Sequence, residues 1–193
     1  MKFKIMIILS IVLLSQSIYA FDSEREGLVI GVGMGYAPSA YTEISDFQNS
    51  RVSTSGLAGS LIAGYGYNEN TLFLVMIEGL KSKTHTAVSP SETTWQGFTG
   101  VGVRFYFNDI GSSFFISSGI GLQRFIKTQN IVAVDEYRTK YPKHDSGLGF
   151  LIGVGYEFTE FLQVQASFSN GQTKNNFPWD HTQLIFTASL VLY

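Results

Sequence analysis

Residues 147–171 read GLGFLIGVGYEFTEFLQVQASFSNG. They form two alternating segments joined by a turn of about three residues. In the first segment Gly147, Gly149, Gly153 and Gly155 alternate with Leu148, Phe150, Ile152, Val154, Tyr156 and Phe158. One face is nearly all glycine and the other apolar, which is the period of a β-strand. After Thr159 and Glu160 the alternation restarts, with Leu162, Val164, Ala166 and Phe168 apolar and Gln163, Gln165, Ser167 and Ser169 polar. The pair reads as a β-hairpin. Its apolar face carries no charge and its polar face is small and neutral, the alternation expected where the outside of a barrel meets lipid.

The same unit recurs along the chain. Alternating segments fall at about 28–36, 56–67, 71–81, 94–107, 113–126, 147–158, 161–169 and 182–193. They predict an all-β, eight-stranded antiparallel up-and-down transmembrane β-barrel. Parity is weakest in the third and eighth segments, where both faces are apolar, so their orientation stays open. Long gaps (37–55, 82–93, 127–146, 170–181) alternate with short ones (68–70, 108–112, 159–160), so the two ends of the barrel differ. In outer-membrane barrels the short turns are periplasmic and the long loops extracellular. Pro38, Pro90, Pro142 and Pro178 fall one to each long gap, as expected if proline is kept out of paired strands.

Residues 1–20, MKFKIMIILSIVLLSQSIYA, carry two lysines, an apolar run and a small-residue end. This is the pattern of a cleaved secretory signal peptide, and the run is about half the roughly 20 residues a membrane-spanning helix needs. The expected organisation is a leader over 1–20 and one barrel domain over 21–193. Of the 13 basic residues, 11 remain without Lys2 and Lys4, against 15 acidic ones, a net charge of −4 that recruits no nucleic acid. Charged residues make up 15% of the chain, below the roughly 25% of soluble domains. Something other than water is expected to cover much of the surface. A soluble, lipocalin-like exported barrel binding a small apolar ligand is the architectural alternative, with the apolar face turned inward. It would expose an almost uncharged surface, which soluble proteins avoid.

Aromatic residues frame the short turns: Tyr65, Tyr67, Phe73, Phe105, Phe107, Phe114, Tyr156, Phe158 and Phe161, with Tyr193 at the end. They are expected to form a periplasmic aromatic girdle. Glu78, Arg104, Glu157, Gln96, Gln123, Gln163 and Gln165 are the polar candidates for the lumen. An eight-stranded barrel is just wide enough for side chains to fill it, so a plug of ion pairs and amide hydrogen bonds is favoured over a gated pore. Lys81, Lys83, Arg124 and Lys127 lie near the predicted outer rim, placed to meet lipopolysaccharide phosphates. The 127–146 loop mixes Asp135, Glu136, Arg138, Lys140, Lys143 and Asp145 with Tyr137 and Tyr141. It is either a binding loop or a solvated cap. Three scattered histidines and no cysteine give no metal-ligand spacing, and no cofactor is expected.

The Gly-x-Gly pairs in IGVGMGY, TGVGVRFYF, SGIGLQRF and IGVGYEFTE lack the spacing and following helix of a nucleotide loop. Over Leu28–Tyr193 the chain instead resembles small outer-membrane barrels of the OmpX and OmpA-transmembrane-domain kind. GVGYEFTE at 153–160 is similar to their penultimate hairpin. The terminal SLVLY at 189–193 is similar to the aromatic signal read by the barrel-assembly machinery, although that family prefers Phe where Tyr193 stands. The resemblance implies a structural or surface-binding protein of the bacterial outer membrane, without the peptidoglycan-binding domain of full OmpA proteins. Its implied partners are outer-membrane lipid, lipopolysaccharide, the assembly machinery and an extracellular or host-surface ligand. Protruding strand edges around Val132–Tyr141 would serve the last of these. An enzyme is not expected. The alternative is a lipid A deacylase of the PagL kind, because Ser167-Phe-Ser169-Asn170 is similar to that family's His-x-Ser-Asn segment. Ser169 would be the nucleophile, but Ser167 stands where the family has histidine, leaving His181 beside Asp180 as a substitute base.

Overall fold

The computed structural model describes residues 25–43, 50–86, 89–130, 140–173 and 179–193. Residues 1–20, read above as a leader, and Asp135, Glu136, Tyr137, Arg138 and Pro178 lie outside the described residues, as does most of Val132–Tyr141. The strands are β1 (Gly27–Glu43), β2 (Ser50–Asn68), β3 (Thr71–Thr86), β4 (Ser89–Tyr106), β5 (Ser113–Asn130), β6 (Lys140–Glu157), β7 (Leu162–Thr173) and β8 (Trp179–Leu192). Each pairs antiparallel with its sequence neighbours, and β8 returns to β1, so the sheet closes into a barrel. The closing register runs from Ile30↔Leu192 to Glu43↔Trp179.

The apolar stripe faces outward. Leu28, Val32 and Met34 on β1, Leu57 and Leu61 on β2, and Leu148, Ile152 and Val154 on β6 are exposed, Leu148 to 80%. That removes the lipocalin-like alternative, which needed this face inside. Inside, glycines alternate with larger side chains, as a narrow barrel requires. The two undecided strands are settled by closure. On β3 Leu72, Leu74, Met76, Glu78 and Leu80 are buried, while Phe73, Val75 and Ile77 face out; on β8 Ile185, Val191 and Tyr193 are buried, while Leu184, Phe186 and Leu190 face out. Both faces of β3 are apolar because its inner face, with Ile62 and Phe98, builds a hydrophobic cluster in the lower barrel. The interior is therefore not the wholly polar plug that the sequence suggested. Apolar packing fills the β2–β4 side, and Gln163, Gln165, Ser167, Ser169 and Gln183 line the β7–β8 side.

The strands are also longer than the alternation indicated, 12 residues in β7 and 19 in β2. About 9–11 suffice to span the membrane. Apolar alternation ends where lipid ends, but backbone pairing continues through Ser53, Thr54 and Ser55 opposite Ala40, Ser39 and Pro38. Three prolines consequently lie in strands rather than in gaps: Pro38 in β1, Pro90 in β4 and Pro142 in β6. Each occurs where a missing N–H is tolerated. The β1–β8 ladder skips Ala37 and Pro38. Pro142, opposite Thr128, lies on a stretch of β6 beyond the last β7 pair among the described residues, and Pro90 is the second residue of its strand.

Candidate functional site

The expected lumen residues are inside, and they are not equivalent. At the short-turn end Arg25 lies across the barrel. Its Nη1 donates to the carbonyls of Glu69 (2.8 Å) and Asn108 (2.9 Å), and its Nη2 to the carbonyl of Asp109 (3.1 Å) and to Glu157 Oε1 (2.8 Å). The guanidinium stacks 3.8 Å from the centre of the Tyr106 ring. One buried cation thus ties together the β2–β3 turn, the β4–β5 turn and β6. Glu157 completes its coordination with the Gly111 N–H (2.7 Å), Gln163 Nε2 (2.9 Å) and the Tyr193 hydroxyl (2.7 Å). Gly111 presents that N–H from a φ of 87°, a conformation open to glycine at little cost. Gly66 is demanded for a different reason: a Cβ there would collide with the Arg25 carbonyl.

The network climbs from this end. Gln163 Nε2 also lies within hydrogen-bond reach of Tyr106 Oη (2.8 Å) and Tyr193 Oη, which share its two hydrogens with Glu157, and Gln163 Oε1 accepts from Arg104 Nη1 (2.8 Å). Arg104 Nη2 donates to Gln165 Oε1 (2.7 Å), Gln165 Nε2 to Glu78 Oε1 (3.0 Å), and Ser167 Oγ to Glu78 Oε2. Four charges alternate in sign along this path, Arg25, Glu157, Arg104 and Glu78, and cancel. A buried charge is tolerable only when paired and hydrogen-bonded. Arg104 also lies 4.4 Å over the Phe115 ring.

Above this lie Gln96, Gln123, Gln183 and His181. Gln123 Nε2 donates to Ser169 Oγ at 3.3 Å, and Gln183 Nε2 reaches Gln96 Oε1 only at 3.5 Å. Ser39 Oγ, Gln96 Nε2, Gln123 Oε1, Gln183 Oε1 and both ring nitrogens of His181 are buried without a hydrogen-bond partner among the described residues. The His181 ring packs 4.9 Å from Phe125, which in turn packs 4.9 Å from Tyr41. This level lies beyond the outward apolar residues of β8, which stop at Leu184. Burial pulls the His181 pKa down to about 4, against weaker opposing fields from Asp180 and Asp145.

Several sequence expectations need correction. Tyr193 is not in the girdle: it shares the parity of Val191 and turns into the lumen, 4% exposed. The other nine aromatics point outward, with ring contacts such as Phe114–Tyr156 at 4.7 Å and Phe105–Phe107 at 5.4 Å. Lys127 follows the inward parity of Gln123 and Phe125 and is buried, whereas Lys81, Lys83 and Arg124 are exposed on the outer face. The deacylase constellation is not assembled. Ser169 and His181 both face inward, but among the described residues neither His181 nitrogen has a hydrogen bond, and Asp180 faces out, accepting from Gln172 Nε2 (2.8 Å). The longest expected loop is partly strand, with Lys127↔Lys143 and Asn130↔Lys140 in register. Sequence reading missed Arg25, which precedes the first apolar residue. Its parity with Val29 was the available signal.

A closed barrel with an apolar outer band, aromatic rings at its short-turn rim and a charge-balanced interior defines a transmembrane β-barrel protein. The chain belongs to the outer membrane protein beta-barrel domain family, whose model matches residues 6–190. Among solved structures it is similar to Ail, the attachment invasion locus protein of Yersinia pestis, in complex with the heparin analogue sucrose octasulfate. That match has a TM-score of 0.59 at 13% identity, covering 86% of this chain and 99% of Ail. Neisserial surface protein A aligns with a TM-score of 0.52 at 15% identity, over 86% of this chain and 97% of its own. OprG of Pseudomonas aeruginosa aligns at 0.50 and 12% identity, over 87% and 97%. At such identities the likeness is one of fold. No curated protein sequence matches the chain.

Proposed function

We propose that this protein is a non-conducting, non-enzymatic barrel of the bacterial outer membrane that binds an extracellular ligand through its protruding β5–β6 sheet. The observation that carries the binding reading is a protruding stretch of sheet. The last β6–β7 pair among the described residues is Gly147↔Thr173, and the backbone of β6 continues past it from His144 to Lys140, paired with β5. Strand backbone carried beyond a rigid scaffold is a common place for binding. Lys140, Lys143 and His144 make it basic in sequence. A polysulfated saccharide of the kind bound to Ail is therefore the first probe to try. Cells carrying the barrel with residues 128–143 replaced by a tight turn are expected to lose attachment and polysulfate binding while assembling the barrel normally. Unchanged attachment and binding would leave the protein a structural component of the membrane.

The non-conducting reading is supported by Arg25 and the network above it, which fill the short-turn end of the lumen with an ion pair to Glu157 and hydrogen bonds to turn carbonyls. The refolded protein in planar bilayers is expected to show no stable unitary conductance, whereas large, steady openings would refute it. Arg25→Ala tests the cause, since opening that end is expected to produce flicker where the native chain is silent.

A further inference from the structure

Glycine is distributed unevenly between the two faces of the wall. Within the strands the glycines turn toward the lumen, except Gly59, Gly79 and Gly97. Those three are register partners, Gly59↔Gly79 and Gly79↔Gly97, so they form one row across β2, β3 and β4 on the outer face. With no side chains rising from it, the row is the floor of a groove of about 610 Å³, walled by residues that include Leu57, Leu61, Ile77 and Ile126.

Backbone packing does not demand all three. A Cβ on Gly79 or Gly97 would press on a neighbouring carbonyl at 3.0 or 3.2 Å, but one on Gly59 would meet nothing closer than 3.8 Å. At Gly59 the missing side chain leaves room outside the wall.

The ends of the row are charged. Gly97 pairs with Arg124, and Lys81 stands one outward step above Gly79, paired with Leu57 and Trp95. Both cations are exposed, and neither forms an ion pair among the described residues. Lys83 is the next outward side chain on β3. Eight residues separate Lys81 from Phe73, which faces outward near the opposite rim. At about 3.3 Å per residue along a strand tilted by about 40°, they span roughly 20 Å of membrane height. Lys81 and Arg124 therefore lie at the outer edge of the apolar band, beside Trp95, an interfacial residue type.

We propose that this groove is a binding site for lipopolysaccharide of the outer leaflet: one acyl chain lies on the Gly59–Gly79–Gly97 floor, and Lys81 and Arg124 hold a phosphate of its diglucosamine headgroup. Apolar trough and paired cations match the two parts of that lipid, and their height matches its leaflet. The site is independent of the protruding β5–β6 sheet and of the closed lumen.

The mature chain is refolded into phosphatidylcholine nanodiscs and titrated with bisphosphorylated lipid A, dephosphorylated lipid A or phosphatidylglycerol, with bound lipid counted by native mass spectrometry. Lys81→Gln/Arg124→Gln is expected to weaken bisphosphorylated lipid A binding by roughly 25-fold, about fivefold per cation, without affecting the dephosphorylated form. Gly59→Leu is expected to weaken both forms by filling the trough. Heat-modifiable gel mobility checks folding, and if Gly59→Leu does not fold, Gly59→Ala is used in its place with a smaller expected loss. Lipid A binding unchanged in the cation double variant would overturn the proposal. So would binding unchanged in the glycine variant, or phosphatidylglycerol binding as tight as lipid A.

Discussion

The lower and upper halves of the lumen share glutamines and serines and solve different problems. In the lower half every carboxylate oxygen of Glu157 and Glu78 has a donor and Gln163 bonds through both ends of its amide, while Arg25 Nε, Arg104 Nε and Ser117 Oγ are the buried atoms there with no hydrogen-bond partner among the described residues. In the upper half two glutamines meet only at 3.5 Å, and neither ring nitrogen of His181 has a hydrogen-bond partner among the described residues. The lower half contains charge, and buried charge must be matched almost completely or it destabilises the fold. Besides the inward Lys127 and Asp145 near its rim, the upper half relies on neutral amides and an uncharged imidazole, for which incomplete matching costs far less. The difference locates the tightly specified part of the interior at the end where the start of β1 meets the end of β8, since Arg25 and Tyr193 share Glu157.

The largest test of this contrast is Glu157→Ala. It leaves Arg25 buried without its counter-charge, and a loss of about 3–5 kcal/mol is expected in urea unfolding from lipid vesicles. Pairing it with Arg25→Met should recover most of that loss. A single variant that unfolds like the native chain would show that the lower network is not the strong half.

A second test concerns His181, which is packed by Phe125 from β5 and flanked by the inward Asp145 of β6 and the outward Asp180. Its folded pKa of about 4 lies below the ordinary 6.5, so the unfolded chain binds the proton first. Its contribution is then fully present above about pH 6.5, declines as the pH falls toward 4, and does not change below that. The decline amounts to at most ~3 kcal/mol. Unfolding measured across this window should show the slope in the native chain and a flatter profile in His181→Leu.

The smallest effect sharpens the comparison within a single hydrogen-bond count. Tyr193→Phe removes a hydroxyl joined to Glu157, Tyr106 and Gln163, and should cost about 1–3 kcal/mol. Gln183→Leu removes one long bond and a buried oxygen that had no partner, and should lie within about 1 kcal/mol of neutral. Equal losses in the two variants would erase the distinction between the halves.

Much of this was legible in the chain. Period-two alternation assigned all eight strands and the facing of six of them, because successive side chains of a strand must leave opposite sides whatever the strand packs against. The inward set of Arg104, Glu157 and the glutamines follows from that parity, and Glu78 was placed with them by the scarcity of charge alone. Tertiary structure decided what parity leaves open. β3 and β8 are apolar on both faces, so only closure against β2, β4, β7 and β1 orients them and sends Tyr193 inward. The strands outrun the membrane because hydrogen-bond ladders continue where lipid, and with it the apolar signal, stops. Arg25 and Glu157 are 132 residues apart, and only the closed barrel brings the start of β1 beside the end of β6. Alternation is a local property of the backbone, whereas partner, height and register belong to the closed sheet.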